Sequence, residues 1–207
     1  MHPNSRMLFS KYATSYFRNS PLVLEIGPNG FPSTYRTLIT DPVSRWDSVD
    51  ILGDDRLTFP NSDPYCFPIA DGSYDVVLAG NVLEHVPRVW VWVKELARVC
   101  KPGGAVITIN PLSWTYHAAP LDCWRVYPDG MKALCAEAGL EVVHCSFESL
   151  EKSWYKRTVP GVTFDHYLAN LSRPVRVAYR IAARLGFPAM VAYDTVTICR
   201  KPLVGAG

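Results

Sequence analysis

The feature that most limits the possible folds is an alternation. From residue 20 to residue 150, short runs rich in β-branched and aliphatic residues alternate with stretches of helical spacing. Such a pattern builds βαβ units around a parallel sheet, and it excludes all-α and all-β architectures. It predicts strands at Leu22–Ile26, Trp46–Ile51, Tyr74–Ala79, Ala105–Ile109, Leu140–Cys145 and Val191–Cys199, the last of which would close the sheet. Helical spacing covers Val89–Val99 and Asp129–Ala138, which end on the stop signals Lys101-Pro102-Gly103-Gly104 and Gly139. Leu8–Arg18, with Tyr12, Tyr16 and Phe17, reads as a covering helix.

At 207 residues the chain is sized for one domain, residues 1–207, with 151–188 as an appended substrate-side or dimerisation segment. That segment holds a helical pattern from Pro174 to Leu185 and a stripe of Arg173, Arg176, Arg180 and Arg184, more often a solvated or homodimer-facing stripe than a contact for an anionic acceptor, nucleic acid or lipid phosphate. A net charge of +2 argues against a dedicated nucleic-acid partner. No apolar run approaches the roughly 18 residues of a membrane span, and Met1–Phe9 lacks the apolar stretch of a signal peptide, so a cytoplasmic protein without membrane contact is expected. Six cysteines without CxxC spacing read as reduced, mostly buried thiols.

The first strand runs into Leu24-Glu25-Ile26-Gly27-Pro28-Asn29-Gly30. An acid at the strand end can bind an amine or a hydroxyl, and Gly27 lets a ligand approach the backbone, although Asn29 replaces the second glycine of a GxGxG turn. Four further signatures follow in order: Val49-Asp50-Ile51, with Asp47 a rival acid; Asp63 ahead of Phe67-Pro68-Ile69 and Asp71-Gly72-Ser73-Tyr74-Asp75; Asn81-Val82-Leu83-Glu84-His85-Val86; and Lys101-Pro102-Gly103-Gly104. Over about residues 20–145 this ordered set resembles the class I S-adenosylmethionine-dependent methyltransferases. The resemblance implies a doubly wound, Rossmann-like α/β fold with a seven-stranded sheet and an insertion before the last strand. It implies S-adenosylmethionine as cofactor, framed by Glu25, Gly27, Asp50 on the ribose, Asp63 on the adenine side, and Asn81 beside the amino-acid end.

The methyl donor is already activated as a sulfonium, so catalysis is mostly alignment of a nucleophile. A hydroxyl acceptor also needs its proton taken by a base or weakened by a metal. Glu84, His85 and His117 are the candidates for that catalytic work. Relatives acting on ubiquinone precursors and on small-RNA ribose carry E-x-x-E-H plus a later histidine, which bind a divalent metal. The same residues, Glu84, His85 and His117, are therefore candidate ligands here for a metal such as magnesium, with Asn81 replacing the first Glu. His144 reads as a core histidine.

The loop after the fifth strand offers Trp114, Tyr116, Asp122, Trp124 and Arg125, a mixture of rings, one acid and one base that suits a sugar. The expected function is O-methylation of a small hydroxylated acceptor, a saccharide or polysaccharide precursor. Within the family the likeness runs to small bacterial methyltransferases of saccharide and natural-product pathways, including 1-O-methylation of methylmannose polysaccharide precursors. The alternatives are a methyltransferase of a quinone, a lipid or a natural-product amine, and an inactive cofactor-binding scaffold subunit.

Overall fold

The structure is a computed structural model that describes residues 3–43, 45–61, 63–114, 116–118, 120–150, 172–185 and 192–203. Seven strands form one sheet: β1 (Leu22–Ile26), β2 (Arg45–Asp50), β3 (Phe59–Pro60), β4 (Tyr74–Gly80), β5 (Cys100–Pro111), β6 (Glu141–Glu148) and β7 (Asp194–Arg200). Their order across the sheet is β3-β2-β1-β4-β5-β7-β6. The first five in that order are parallel, while β7 runs antiparallel to both β5 and β6. The last strand, β7, completes the sheet from its interior. It inserts between β5 and β6, which is why every residue from Asp194 to Cys199 is buried, while β6, at the edge, keeps Val143 and Phe147 exposed.

Among the described residues four α-helices accompany the sheet: α1 (Pro3–Tyr12), α2 (Val89–Val99), α3 (Pro128–Glu137) and α4 (Arg173–Arg184). Side chains alternate across a strand, so each strand feeds two cores. Leu24, Val77, Val106 and Cys199 pack with Trp92, Val93 and Leu96 of α2 and with Met131 and Cys135 of α3. Val23, Val76, Leu78, Ile107 and Ile198 pack on the other face with Phe9 of α1, Phe17 and Tyr35.

Helix α2 forms despite its β-branched residues because Val89, Trp92, Val93, Leu96 and Val99 fall on one face. Trp92 is buried and Trp90 exposed, as two residues two apart on a helix must be divided. Helix α3 begins with proline and stops at Gly139, whose φ of 70° supports bonds from Gly139 N to Ala136 O and from Leu140 N to Cys135 O, a paired C-terminal cap. The predicted covering helix starts earlier, at Pro3, and its second half is a 3-10 turn, Thr14–Phe17.

Among the described residues no α-helix lies between β1 and β4; the connection from β1 to β2 holds only the 3-10 turn Arg36–Leu38. The helices are thus α1 on one face and α2 with α3 on the other. Helix α4 matches the predicted helical pattern, and Arg173 is exposed; the side chains of Arg176, Arg180 and Arg184, and most of 151–188, lie outside the described residues. No helix among the described residues is long and apolar enough to cross a membrane.

The absence of a helix after β1 places weight on Tyr35, whose buried ring closes over Gly80 at the end of β4. A Cβ built on Gly80 would stand 2.2 Å from Tyr35 Cε2 and 2.3 Å from its hydroxyl. Gly80→Ala should therefore cost about 2 kcal/mol through overpacking, and a melting curve should show much of the loss restored in Gly80→Ala combined with Tyr35→Leu. Equal melting temperatures for wild type and Gly80→Ala would contradict this packing.

Candidate functional site

A cavity of about 530 Å³ opens at the carboxyl ends of β1, β2 and β4. Parallel α/β sheets bind ligands at this end, where connections diverge to either side. Its walls come from Gly27 to Asn29 after β1, Asp50 to Leu52 after β2, Asn61, Tyr65 and Phe67 in the next connection, and Asn81, Val82 and His85 after β4. Trp92 of α2 and Pro120 with Leu121 complete the wall. The polar side chains of this wall are those of Asn29, Asp50, Asn61, Tyr65, Asn81 and His85.

Local conformation explains how each segment reaches the cavity. Gly27 has a φ of 66°, and a Cβ there would meet Val82 Cγ2 at 2.5 Å, so the β1 turn and the β4 turn touch only because residue 27 lacks a side chain. Asn29, in the place of a second glycine, fastens this turn: its Nδ2 donates to Thr34 Oγ1 at 2.8 Å, and its Oδ1 accepts from Thr34 N at 3.1 Å. Asn81 is left-handed, with a φ of 58°, a conformation Asn adopts more readily than most residues. Its backbone N–H donates to Ile109 O, and its buried Oδ1 has no hydrogen-bond partner.

The acids expected to frame a cofactor are sorted by their surroundings. Asp50 lies on the cavity wall, and partial burial raises its pKa against the opposing bonds from Leu52 and Ile51 N–H. Asp47, its rival, is buried within β2, where it accepts from Tyr74 Oη at 2.6 Å and pairs with Arg45. Asp63 does not line the cavity, although Asn61, Pro64 and Tyr65 around it do: it is exposed, and its carboxylate caps a turn through Tyr65 N at 2.8 Å. Asn61, which sequence patterns did not single out, takes the wall position beside it. Arg98 bonds to Phe67 O, Ile69 O, Glu95 and Asp71, and so ties this connection to α2.

Glu25 also stands behind the wall. It accepts from Ser33 Oγ at 2.5 Å and from Trp46 Nε1 at 2.9 Å, which locks the turn after β1 onto β2. Burial pushes its pKa up to about 6, against the two bonds that favour the carboxylate. Because the folded value lies above the usual 4.5, the stabilisation is present below pH 4.5 and is lost as pH rises through 6, a span worth about 2 kcal/mol. Glu25→Gln should therefore match wild type near pH 4.5 and exceed it by about 2 kcal/mol at pH 8 in urea unfolding. A stability difference that does not change with pH would contradict the assignment.

At the far wall Glu84, His85 and His117 converge: one ligand-type atom from each lies within 4.8 Å of the others. Glu84 is fully buried, with no hydrogen bond to either carboxylate oxygen, and burial pushes its pKa up to about 7. His85 Nδ1 donates to Leu121 O, and its Nε2 lies 3.7 Å from Glu84 Oε1. His117 meets the His85 ring edge-on at 5.1 Å. The Glu84 carboxyl and the His85 Nε2 thus face each other at a separation longer than a hydrogen bond. One carboxylate and two imidazoles suit a divalent ion, and a ligating His whose other nitrogen donates to a carbonyl has the usual supporting bond. Of the three, only His85 lines the cavity.

The loop expected to receive the acceptor is largely satisfied within itself. Asp122 accepts two bonds from Arg125, at 2.5 and 2.7 Å, and one from His117 N at 2.9 Å, and its side chain is only 1% exposed. Trp124 Nε1 donates to Val86 O at 2.9 Å, and its ring packs edge-on against Trp90. Trp114 is half-buried and its carbonyl accepts from Arg125, while Tyr116 is exposed. The loop reaches the cavity through Pro120 and Leu121 instead.

Residues 47–108, from β2 into β5, match a family model described as a methyltransferase domain. An uncharacterised methyltransferase of Mycolicibacterium paratuberculosis is 32% identical over 109 residues, 47% of this chain and 40% of the relative. One from Mycobacterium tuberculosis H37Rv is 44% identical over 62 residues, 30% of this chain and 23% of its own length. The chain spans less than half the length of these curated relatives. In overall fold it is similar to a SAM-dependent methyltransferase from Archaeoglobus fulgidus (TM-score 0.59, 15% identity, 93% of this chain and 92% of that one). A geranyl diphosphate methyltransferase in complex with SAM has a TM-score of 0.60 at 10% identity, over 94% of this chain and 84% of that one. The matched segment spans the β2 and β4 turns of the cavity, so this part of the chain resembles a methyltransferase domain, and the fold as a whole is similar to that of S-adenosylmethionine-dependent methyltransferases.

Proposed function

We propose that the chain transfers the methyl group of S-adenosylmethionine to a hydroxyl of a small hydroxylated acceptor, a saccharide. The observation that carries this reading is the cavity itself: a mostly apolar chamber whose wall includes Asp50 and also His85, which is backed by Glu84. In this reading Asp50 holds the ribose hydroxyls, Ile51, Leu52 and Tyr65 bracket the adenine, and Gly27 and Asn81 receive the amino-acid end. The reacting sulfonium then points toward His85. An alcohol is a poor nucleophile when neutral, and a group with a pKa near 7 is matched to removing its proton. Glu84, His85 and His117 supply that base, or hold a divalent cation that would acidify the hydroxyl when bound. The loop from Trp114 to Tyr127 bounds the acceptor, the chain acts as one domain, and 151–188 is a substrate-side or dimerisation segment.

Calorimetry with S-adenosylhomocysteine tests the cofactor half. A carboxylate accepting two hydroxyl bonds contributes enough that Asp50→Ala should weaken binding about 10- to 100-fold. Asp63→Ala, which lies off the wall, should bind as wild type does. No binding by folded wild-type protein would end the reading, and equal losses in both variants would misplace the ribose. The acceptor half is tested by radiolabelled methyl transfer across sugars, quinol precursors, amines and RNA. Transfer to quinols or amines alone would replace the saccharide, and binding without transfer to any class would leave a scaffold subunit.

A further inference from the structure

Cys135 and Cys199 belong to different elements, α3 and β7, and are separated by 64 positions in the chain. Their sulfurs nonetheless stand 3.0 Å apart, inside van der Waals contact, and both side chains are buried. The other cysteines are placed differently. Cys100 Sγ is directed to Lys101 O, Cys145 Sγ to Thr197 Oγ1 and Pro128 O, and Cys66 and Cys123 are exposed. Nothing in the methyl-transfer reading uses the buried pair.

We propose that Cys135 and Cys199 are an oxidative modification site that forms a reversible disulfide with hydrogen peroxide as the oxidant. The sulfurs need to close by only about 1 Å to reach bonding distance, which small rotations about the side-chain torsions of two adjacent residues supply. The pair is polarised for the reaction: Cys199 donates its S–H toward Cys135, which favours thiolate on Cys135 and holds the proton on Cys199. The Cys135 thiolate attacks one oxygen of the peroxide, the O–O bond breaks, and a sulfenic acid forms while the departing hydroxide takes up a proton as water. Cys199 sulfur then attacks the sulfenic sulfur; the S–S bond forms, and the S–O bond breaks with loss of a second water that carries the Cys199 proton. Two thiols are oxidised by two electrons, and one peroxide is reduced to two waters.

The bond would close a long loop that contains β6 and α4, and it would staple β7, inside the sheet, to the helix that follows the acceptor loop. Closing so long a loop restricts the unfolded chain, so the oxidised protein should melt roughly 5 to 15 °C higher than the reduced one.

The experiment treats the full chain with stoichiometric hydrogen peroxide, alkylates remaining thiols under denaturation, and records the intact mass, the tryptic map and the melting temperature. The expected result is four alkylated cysteines where the reduced chain has six, a Cys135–Cys199 linked peptide pair, and a higher melting temperature that dithiothreitol reverses. Cys145→Ser should behave as wild type, while Cys135→Ala and Cys199→Ala should give no linked peptide. Six alkylated thiols after peroxide, a link through Cys145, or sulfinic acid on Cys135 without a link would each overturn the proposal. These readings are taken on wild type, so they stand even where a variant folds poorly, and they do not depend on which acceptor is methylated.

Discussion

Glu84→Gln and His117→Ala should each lower methyl transfer by about 10²- to 10⁴-fold, the range lost with a positioned base, while S-adenosylhomocysteine affinity stays within about threefold. The separation of the two readouts follows from position. Neither residue lines the cavity in which the cofactor is proposed to lie, whereas both meet His85 on its far side. The Glu84 substitution keeps shape and volume and removes only the ionisable group. Its pKa, raised to about 7 by burial, means the carboxylate form grows as pH climbs through neutrality, so activity that needs the anion should rise across that range. A chelator separates the two versions of the site. An ion-dependent enzyme should stop and then recover with added divalent ion, while a proton-accepting pair should ignore the treatment. Near wild-type turnover in both variants would remove Glu84 and His117 from the chemistry.

Much of this arrangement is legible in the sequence, because the strands carry a simple signal. Val23 and Leu24, Val76 and Val77, and Val106 and Ile107 each send adjacent apolar residues into two different cores, and that continuous run of apolar residues marks a strand buried on both faces. Gly27 and Asn81 are legible as turn residues, since their conformations belong to the local chain, and both line the cavity. What fails is whatever depends on a distant partner. Asp47 and Asp50 look alike in sequence; only the meeting of Asp47 with Tyr74, 27 positions on, separates the internal acid from the one at the strand end. Asp63 carries a turn signal through Tyr65 N that resembles a binding position in one dimension. Tyr35 has no motif at all, because its partner is the empty space over Gly80. The insertion of β7 between β5 and β6 is a matter of sheet order, on which the last strand's own residues are silent.

Asp122 poses the sharpest conflict between a motif reading and a structural one, and Asp122→Ala should decide it. As an acceptor contact, the residue would be dispensable for folding, and its loss would raise KM for one acceptor class. In the structure its two oxygens already receive the Arg125 fork and the His117 N–H, and 1% of its side chain is exposed. The Arg125 guanidinium holds its carboxyl well below the usual carboxylate range. Removing the acid leaves a guanidinium that is 25% exposed without its partner and a loop N–H without its acceptor. Breaking a buried pair from one side costs up to 3–5 kcal/mol, and with Arg125 in partial contact with water the expected loss is about 3 kcal/mol, or roughly 6 to 12 °C in melting temperature. Turnover should fall for every acceptor, because His117 is held by the same carboxylate. Removing both partners should be milder than the two single losses added together, with a coupling of at least about 1 kcal/mol, since the double variant strands no charge. A melting temperature equal to wild type, with a KM effect confined to one acceptor, would return Asp122 to the substrate; a lowered melting temperature with the predicted coupling makes it the clamp that sets the catalytic loop against His85.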